Sequence, residues 1–143
     1  MTTLLSRVLA ATGPDRELDA AICVALMDVS DAEYFKLGAV KPSNAHVDWR
    51  VDLVNDTGVV RSMPPDHYTA SLDAALALCE RVLPGVSPAV GQNVHHIYWH
   101  ARLSTLDEKD APITAGEASA STPALALLAA ILKAMEARDG GVV

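Results

Sequence analysis

A row of ring-bearing and cationic side chains is the densest group of chemically capable residues in this sequence. Residues 93–103 alternate apolar and polar positions, which predicts a half-buried β-strand. The polar positions of this strand share one face, which carries four side chains: His96, Tyr98, His100 and Arg102. Rings of this kind stack on nucleotide bases, and a guanidinium binds phosphates or ribose hydroxyls. The row therefore predicts a ligand-binding face.

Two further residues are predicted to extend this face. Arg50, on a second strand expected over residues 46–54, would join it together with His46 and Asp48 if the two strands are neighbours. Thr122 begins the last helix, where hydroxyls and free backbone N–H groups favour an anion. In the alternative interpretation the same face is solvated or faces a second subunit, and the sequence leaves both interpretations open.

Neither a metal site nor a resident cofactor is predicted. At about 3.3 Å per residue, His96 and His100 lie about 13 Å apart on a strand, which is too far for them to share one ion. His95 points to the opposite side of the same strand. A fold that brings His46 or His67 to this row would change the expectation.

No catalytic residues are predicted, so the sequence favours a protein that is not an enzyme. It contains no Gly-x-Ser-x-Gly motif, and nothing pairs Ser71 or Cys79 with a particular histidine. The carboxylates in residues 107–110 fall in an apparent turn, and no glycine-rich phosphate loop is present. Cys79 lies on the apolar stripe of its helix, which indicates a buried free thiol.

Apolar periodicity and local start and stop signals predict the elements that position these residues. Four helices are expected, each with a start or stop signal at its ends. The first two run from Leu4 to before Gly13, and from Pro14 in the first turn to about Met27. The last two run from a cap at Thr69 or Ser71 to Pro84-Gly85, and from a cap at Thr122 to Gly140-Gly141. The last helix carries the apolar stripe Leu125, Leu128, Ile131, Leu132 and Met135.

The strands are expected in two pairs that alternate with the helices. Residues 46–54 pair with 59–61, and residues 93–103 pair with 113–118, while residues 28–45 are expected to form a loop. The prediction is an α+β fold with the order α-α-β-β-α-β-β-α. Its form would be a three-layer α-β-α sandwich with a small, mainly antiparallel sheet, in a single domain over residues 1–143.

Composition narrows the class of protein further. The formal charge is −7, with 11 basic and 18 acidic residues, which disfavours a general nucleic-acid binder. Mean hydropathy is +0.21, but the longest apolar run stops at Lys133, far short of the roughly 20 residues that span a bilayer. The first residues lack the features of a signal peptide, so we expect a cytoplasmic protein without membrane contact.

Three segments carry a family resemblance: TGPDRELDAAI at residues 12–22, HYTASLDAAL at 67–76, and GEA at 116–118 followed by TPALAL at 122–127. They resemble the phage ABA-sandwich domain, whose members are small proteins of bacteriophages and bacterial prophages. The resemblance implies a layered helix–sheet–helix fold, a phage origin and a location in the cytoplasm of the infected or lysogenic host. It supplies no catalytic residues, because the similar segments are helix starts and core stripes.

These observations together predict a phage-encoded binding protein that is not an enzyme. It would act as a counter-defence sponge that sequesters a nucleotide-type immune signal, such as a cyclic nucleotide or a cyclic ADP-ribose derivative. A homo-oligomer is expected because sheet edges and remaining Ala/Leu helix surface favour self-association. One alternative is a protein–protein interaction module that inhibits a host or phage protein. Another is a phosphoesterase acting on the same signal, which needs a metal or a histidine pair.

Overall fold

The computed structural model describes residues 3–26, 39–42, 50–92 and 98–138. The described helices and strands follow in chain order: α1 (Leu4–Ala10), α2 (Arg16–Leu26), β1 (Ala39–Pro42), β2 (Val51–Asn55), β3 (Gly58–Met63), α3 (Leu72–Val82), β4 (Ser87–Gln92), β5 (Trp99–Leu106), β6 (Pro112–Ala120) and α4 (Pro123–Arg138). The predicted α+β class and the predicted order of helices and strands are confirmed. Each predicted strand pair has one additional strand, which precedes it.

Contacts divide the chain into two compact units, Met1–Pro14 with Tyr68–Val143 and Asp15–His67. The first unit contains the sheet β4-β5-β6, and the second contains the sheet β1-β2-β3. Every strand pair in both sheets is antiparallel, as the tight turns predicted. The single domain stays a prediction, because compact units of this size can belong to one domain.

The first unit is built around α4, which is buried on nearly every side. Ten of its sixteen residues are buried, including the alanines between the predicted stripe positions. The burial is wider than one stripe because α4 contacts β5 and β6 as well as α1 and α3. A helix that is apolar all round is typical of a protein core. Within the described residues, no helix is long and apolar enough to cross a membrane.

Small residues let β6 approach the backbone of α4 closely. Gly116 is buried in β6, and a Cβ atom placed on it would lie 2.5 Å from the carbonyl oxygen of Ala130. The same Cβ atom would lie 2.9 Å from the backbone nitrogen of Ala134. Ala118 and Ala120 continue the buried side of this strand. The contact requires glycine at position 116 because the atoms facing it belong mainly to helix backbone.

In the second unit, β2 is the central strand and alternates as predicted. Val51 and Leu53 are fully buried, whereas Asp52 between them is partly exposed. The predicted positions 46–49 lie outside the described residues.

Helix α2, which packs on β1 and β2, differs from the prediction in two respects. It begins at Arg16, and the Asp15 carboxylate accepts the Leu18 N–H at 3.0 Å, so Pro14 precedes the cap and is not in the first turn. The sequence predicts the apolar stripe Leu18, Ala21, Ile22, Ala25 and Leu26 on this helix. In the structure Asp19 and Cys23 are also buried, while Ala25 is exposed. Compared with the prediction, the buried side of α2 is rotated so that it includes the Asp19 carboxylate.

Helix α3 begins and ends where the sequence signals lie. Of the two predicted caps the structure has Ser71, whose hydroxyl accepts the Ala74 N–H at 3.1 Å. Gly85 follows the helix with a φ of +86°, a conformation that glycine adopts without strain. Cys79 is a buried free thiol, as predicted. Its pKa is raised mainly by desolvation and to a smaller extent by the negative charge of Glu80.

Two strands were not predicted, and both are edge strands. The expected loop over residues 28–45 is wrong at Ala39–Pro42, which forms β1; the other residues of that loop lie outside the described residues. Ser87–Gln92 forms β4, which is exposed along nearly its whole length. Neither strand alternates apolar and polar residues, and in β4 the reason is that its exposed residues leave no buried side to encode. Each also contains proline, which edge strands tolerate.

Candidate functional site

The candidate site lies on the side of β5 that faces away from α4. Ala101 and Leu103 are fully buried on the helix side. His100 and Arg102 alternate with them and have side chains that are 43% and 56% exposed. The predicted alternation is therefore confirmed in the described part of this strand, while His96 lies outside the described residues. Tyr98 precedes β5 and is 42% exposed.

Strand β6 brings two further side chains to the same side of the sheet. Glu117 lies opposite Arg102, and Ser119 lies opposite His100 in the antiparallel register. Both are exposed, whereas Ala118 between them is buried. We call the side chains of His100, Arg102, Glu117 and Ser119 the polar face.

Hydrogen bonds join all four side chains of the polar face. The Nδ1 atom of His100 lies 2.9 Å from the Ser119 hydroxyl, and its Nε2 atom lies 3.3 Å from Glu117 Oε2. Arg102 donates from Nε to the same Glu117 oxygen at 3.1 Å. Glu117 is thus the centre of the network and holds the two strands' side chains in one arrangement.

The hydrogen bonds also set the charge of this face. The hydrogen bond from Arg102, and then that from His100, lowers the pKa of the Glu117 carboxyl below its ordinary value. The carboxylate therefore stays ionised and offsets the charge of Arg102. The polar face therefore presents one positive and one negative charge to a ligand, and it is not a cationic patch.

We expect the pKa of Glu117 to rise toward its ordinary value when Arg102 is replaced by glutamine, because the largest cause of the shift is removed. A group whose pKa is lowered by folding stabilises the fold above its unfolded pKa, and this contribution is lost as pH falls through the folded pKa. Carboxyl-detected NMR titration of the wild-type and R102Q proteins measures the change. Equal Glu117 pKa values in both proteins would contradict the described network.

Arg50 lies in the second unit. It precedes β2 and donates from Nη2 to the Ser62 carbonyl oxygen at 2.7 Å, and from Nε to the Ser62 hydroxyl at 3.4 Å. Since β2 pairs with β1 and β3, the strand ladders do not place Arg50 beside Arg102. Its role in ligand binding stays a prediction.

Thr122 caps α4, as its position before Pro123 predicted. Its hydroxyl accepts the Leu125 N–H at 3.2 Å, and its carbonyl accepts the Ala126 N–H at 2.9 Å. The Leu125 N–H, which has no partner within the helix, is therefore bonded by the Thr122 side chain. Contact between Thr122 and a ligand stays a prediction.

Replacing Thr122 by alanine is expected to lower the free energy of unfolding by about 1 kcal/mol, because the hydroxyl that accepts the Leu125 N–H is lost. Thr122→Ser is the matched control, since serine caps equally well. Urea unfolding of the two variants measures the difference. A T122A protein as stable as T122S would show that the cap contributes little to α4.

A cavity of about 280 Å³ lies in the same unit, along the part of β5 that follows Arg102. Its lining comes from the loop before β4 and from the three strands: Gly85, Ser87, Ser104, Thr105, Leu106 and Pro112. Ser104 follows Arg102 by two residues and shares its side of β5, and Ser87 is its partner on β4. The cavity is therefore at the end of the row that carries Arg102.

A second polar cluster lies in the other unit and is centred on Arg16. Its guanidinium lies 2.8 Å from the fully buried Asp19 carboxylate and donates to the Pro65 and Asp66 carbonyls at 2.9 and 3.2 Å. It also lies 3.2 Å from His67 Nδ1. This use of its donors indicates a structural role. In the described part of the chain, no three His, Cys, Asp or Glu side chains meet to hold a metal.

Comparison of the chain with protein-family models, with curated proteins and with solved structures finds no match. The resemblance to the phage ABA-sandwich domain therefore stays a prediction.

Proposed function

We propose that this protein binds an anionic, nucleotide-type small molecule on the polar face and does not convert it. The observation that carries the proposal is the state of Arg102. Its Nε atom is held by Glu117, which orients the planar guanidinium. Within the described residues, its terminal nitrogens Nη1 and Nη2 have no hydrogen-bond partner. Such a fork suits two oxygens of one phosphate.

The neighbours of Arg102 support binding because they are already ordered. His100 is held from both ring nitrogens, so its side chain loses little conformational entropy when a ligand binds. Glu117 and Ser119 add acceptor and donor groups that match the hydroxyls or amino groups of a nucleotide. The exposed ring of Tyr98 lies at the start of the same strand, where it can pack against a base.

In the phage setting that the resemblance implies, binding without turnover would remove an immune signal from the host. We therefore propose the role of a cytoplasmic counter-defence sponge for a cyclic nucleotide or a cyclic ADP-ribose derivative. A sponge needs affinity and slow release and needs no catalytic group. Self-association of the chain is part of the same proposal, since the exposed edge strand β4 can pair with another copy.

Replacing Arg102 by alanine is expected to weaken nucleotide binding at least tenfold, because charge-assisted hydrogen bonds contribute about 1.5–3 kcal/mol. Calorimetric titration with cyclic nucleotides and with ADP-ribose derivatives measures the change. Lys109→Ala is the matched control, since it removes a positive charge from the exposed β5–β6 turn. No binding by the wild-type protein, or equal losses in R102A and K109A, would refute the proposed function.

A second candidate function, ester hydrolysis, rests on the order of three side chains. Ser119, His100 and Glu117 follow the order of nucleophile, base and carboxylate in serine hydrolases, but the two ring nitrogens are exchanged: Nδ1 faces the serine and Nε2 the carboxylate. Two facts favour binding over hydrolysis. Glu117 is shared with Arg102, and both His100 and Glu117 are more than two-fifths exposed, so water competes for the bonds that would activate Ser119.

A fluorophosphonate probe separates the two functions. We expect no labelling of the wild-type protein above the level of the S119A variant, and intact nucleotide on denaturation of the complex. Labelling that disappears in both S119A and H100A would establish an activated serine and favour hydrolysis.

A further inference from the structure

The residues that line the cavity differ from those of the polar face in charge. Three of its residues carry hydroxyls, namely Ser87, Ser104 and Thr105, and none of the six carries a charge. Leu106 and Pro112 provide apolar wall. Hydroxyls that both donate and accept, next to apolar surface, suit the hydroxyls and ring carbons of a sugar. An uncompensated phosphate would find no cation among these lining residues.

The position of the cavity matches a sugar joined to a phosphate. Ser104 and Arg102 are two residues apart on the same side of β5, which corresponds to about 7 Å along a strand. A phosphate bound by Arg102 would therefore lie within covalent reach of a group seated between Ser87 and Ser104.

The size of the cavity limits what it can enclose. At about 280 Å³ it falls below the range of about 300–1,000 Å³ that is typical of pockets for drug-sized ligands. It can therefore take one portion of a nucleotide while the remainder lies on the open sheet. The β4 residues opposite Arg102 and His100 are the small residues Ala89 and Gly91, which leave room for a ligand on that surface.

We infer that this cavity is a subsite for the uncharged sugar of a ligand whose phosphate binds Arg102. The ligand class is thereby narrowed from anions in general to sugar phosphates and nucleotides. This inference rests on the proposed function, and it adds Ser87 and Ser104 to the residues that determine specificity.

Calorimetric titration with ribose 5-phosphate and with inorganic phosphate tests the subsite. The wild-type protein is expected to bind ribose 5-phosphate at least tenfold more tightly than inorganic phosphate. Ser104→Leu, which fills the cavity, should abolish this preference and leave the affinity for inorganic phosphate unchanged. Ser104→Ala, which deletes only the hydroxyl, should reduce the preference about fivefold, as expected for one neutral hydrogen bond. Ser121→Ala is the control for an exposed serine outside the cavity.

The outcomes distinguish the inference from the proposed function. If R102A weakens the binding of nucleotides but the wild-type protein shows no preference for ribose 5-phosphate, the subsite is wrong and the proposed function stands. Equal loss of both probes in S104A, with an unchanged far-UV circular dichroism spectrum, would also overturn the subsite. If neither the probes nor the nucleotides bind, the proposed function and the subsite fail together.

Discussion

Replacing Gly116 by valine is expected to unfold the first unit or to destabilise it by more than about 3 kcal/mol. A Cβ atom at this position would lie 2.5 Å from the Ala130 carbonyl oxygen. That oxygen belongs to the backbone in the middle of α4, so it cannot rotate away as a side chain can. The helix would have to move off β6 and lose contacts along the core. Gly116→Ala adds only one carbon and should cost about 1–3 kcal/mol.

Gly91→Ala is the matched control for this prediction. Gly91 also lies in a strand of the same sheet, but a Cβ atom placed on it meets no atom within 4 Å. Its replacement should change the free energy of unfolding by less than about 1 kcal/mol. Urea unfolding followed by circular dichroism compares the variants. If G116A were as stable as G91A, the close approach of β6 to α4 would be wrong.

Replacing Arg16 by methionine is expected to destabilise the second unit by about 3 kcal/mol. The Asp19 carboxylate is fully buried, and removal of one member of a buried ion pair costs about 3–5 kcal/mol. The lower end of that range applies because the Arg16 side chain is 30% exposed and water screens the pair. The Pro65 and Asp66 carbonyls lose the same donor.

Arg16→Lys is the conservative control for this ion pair. Lysine keeps the charge near Asp19, but a single ammonium cannot copy the fork that serves the carboxylate and two carbonyls. We therefore expect its stability to fall between those of the wild-type and R16M proteins. The double variant R16M/D19N should be less destabilised than the sum of the single changes, because it removes both charges together. A stability loss below about 1 kcal/mol in R16M would mean that Asp19 does not depend on Arg16.

The sequence predicts those parts of the fold that depend on local signals. Ser71 and Thr122 cap helices because a short hydroxyl side chain satisfies a free N–H within its own turn. The alternation in β2 and β5 is visible because one side of each strand is buried. Strand β4 was missed because it contains Pro88 and has almost no buried side.

The candidate site is only half visible in the sequence. His100 and Arg102 are found by alternation on one strand, but Glu117 and Ser119 depend on the register with β6. That register shifts by one residue after Leu103, where β6 bulges next to the Gly116 contact with α4. The bulge thus decides which β6 residues face Arg102, and periodicity does not reveal it. The buried Asp19 was missed for a similar reason, since the Pro65 and Asp66 carbonyls that hold its partner Arg16 are distant in sequence.

In the proposed function, a phosphate-bearing ligand binds on the polar face of β5 and β6. Amide NMR spectra of the labelled protein, recorded during titration with cyclic ADP-ribose and with a panel of cyclic nucleotides, test it most directly. We predict that at least one of these compounds causes saturable shifts centred on His100, Arg102, Glu117 and Ser119, which extend to Ser104 and are absent in R102A. Shifts centred on Arg16 and His67 instead, or no saturable shift with any compound, would contradict the claim.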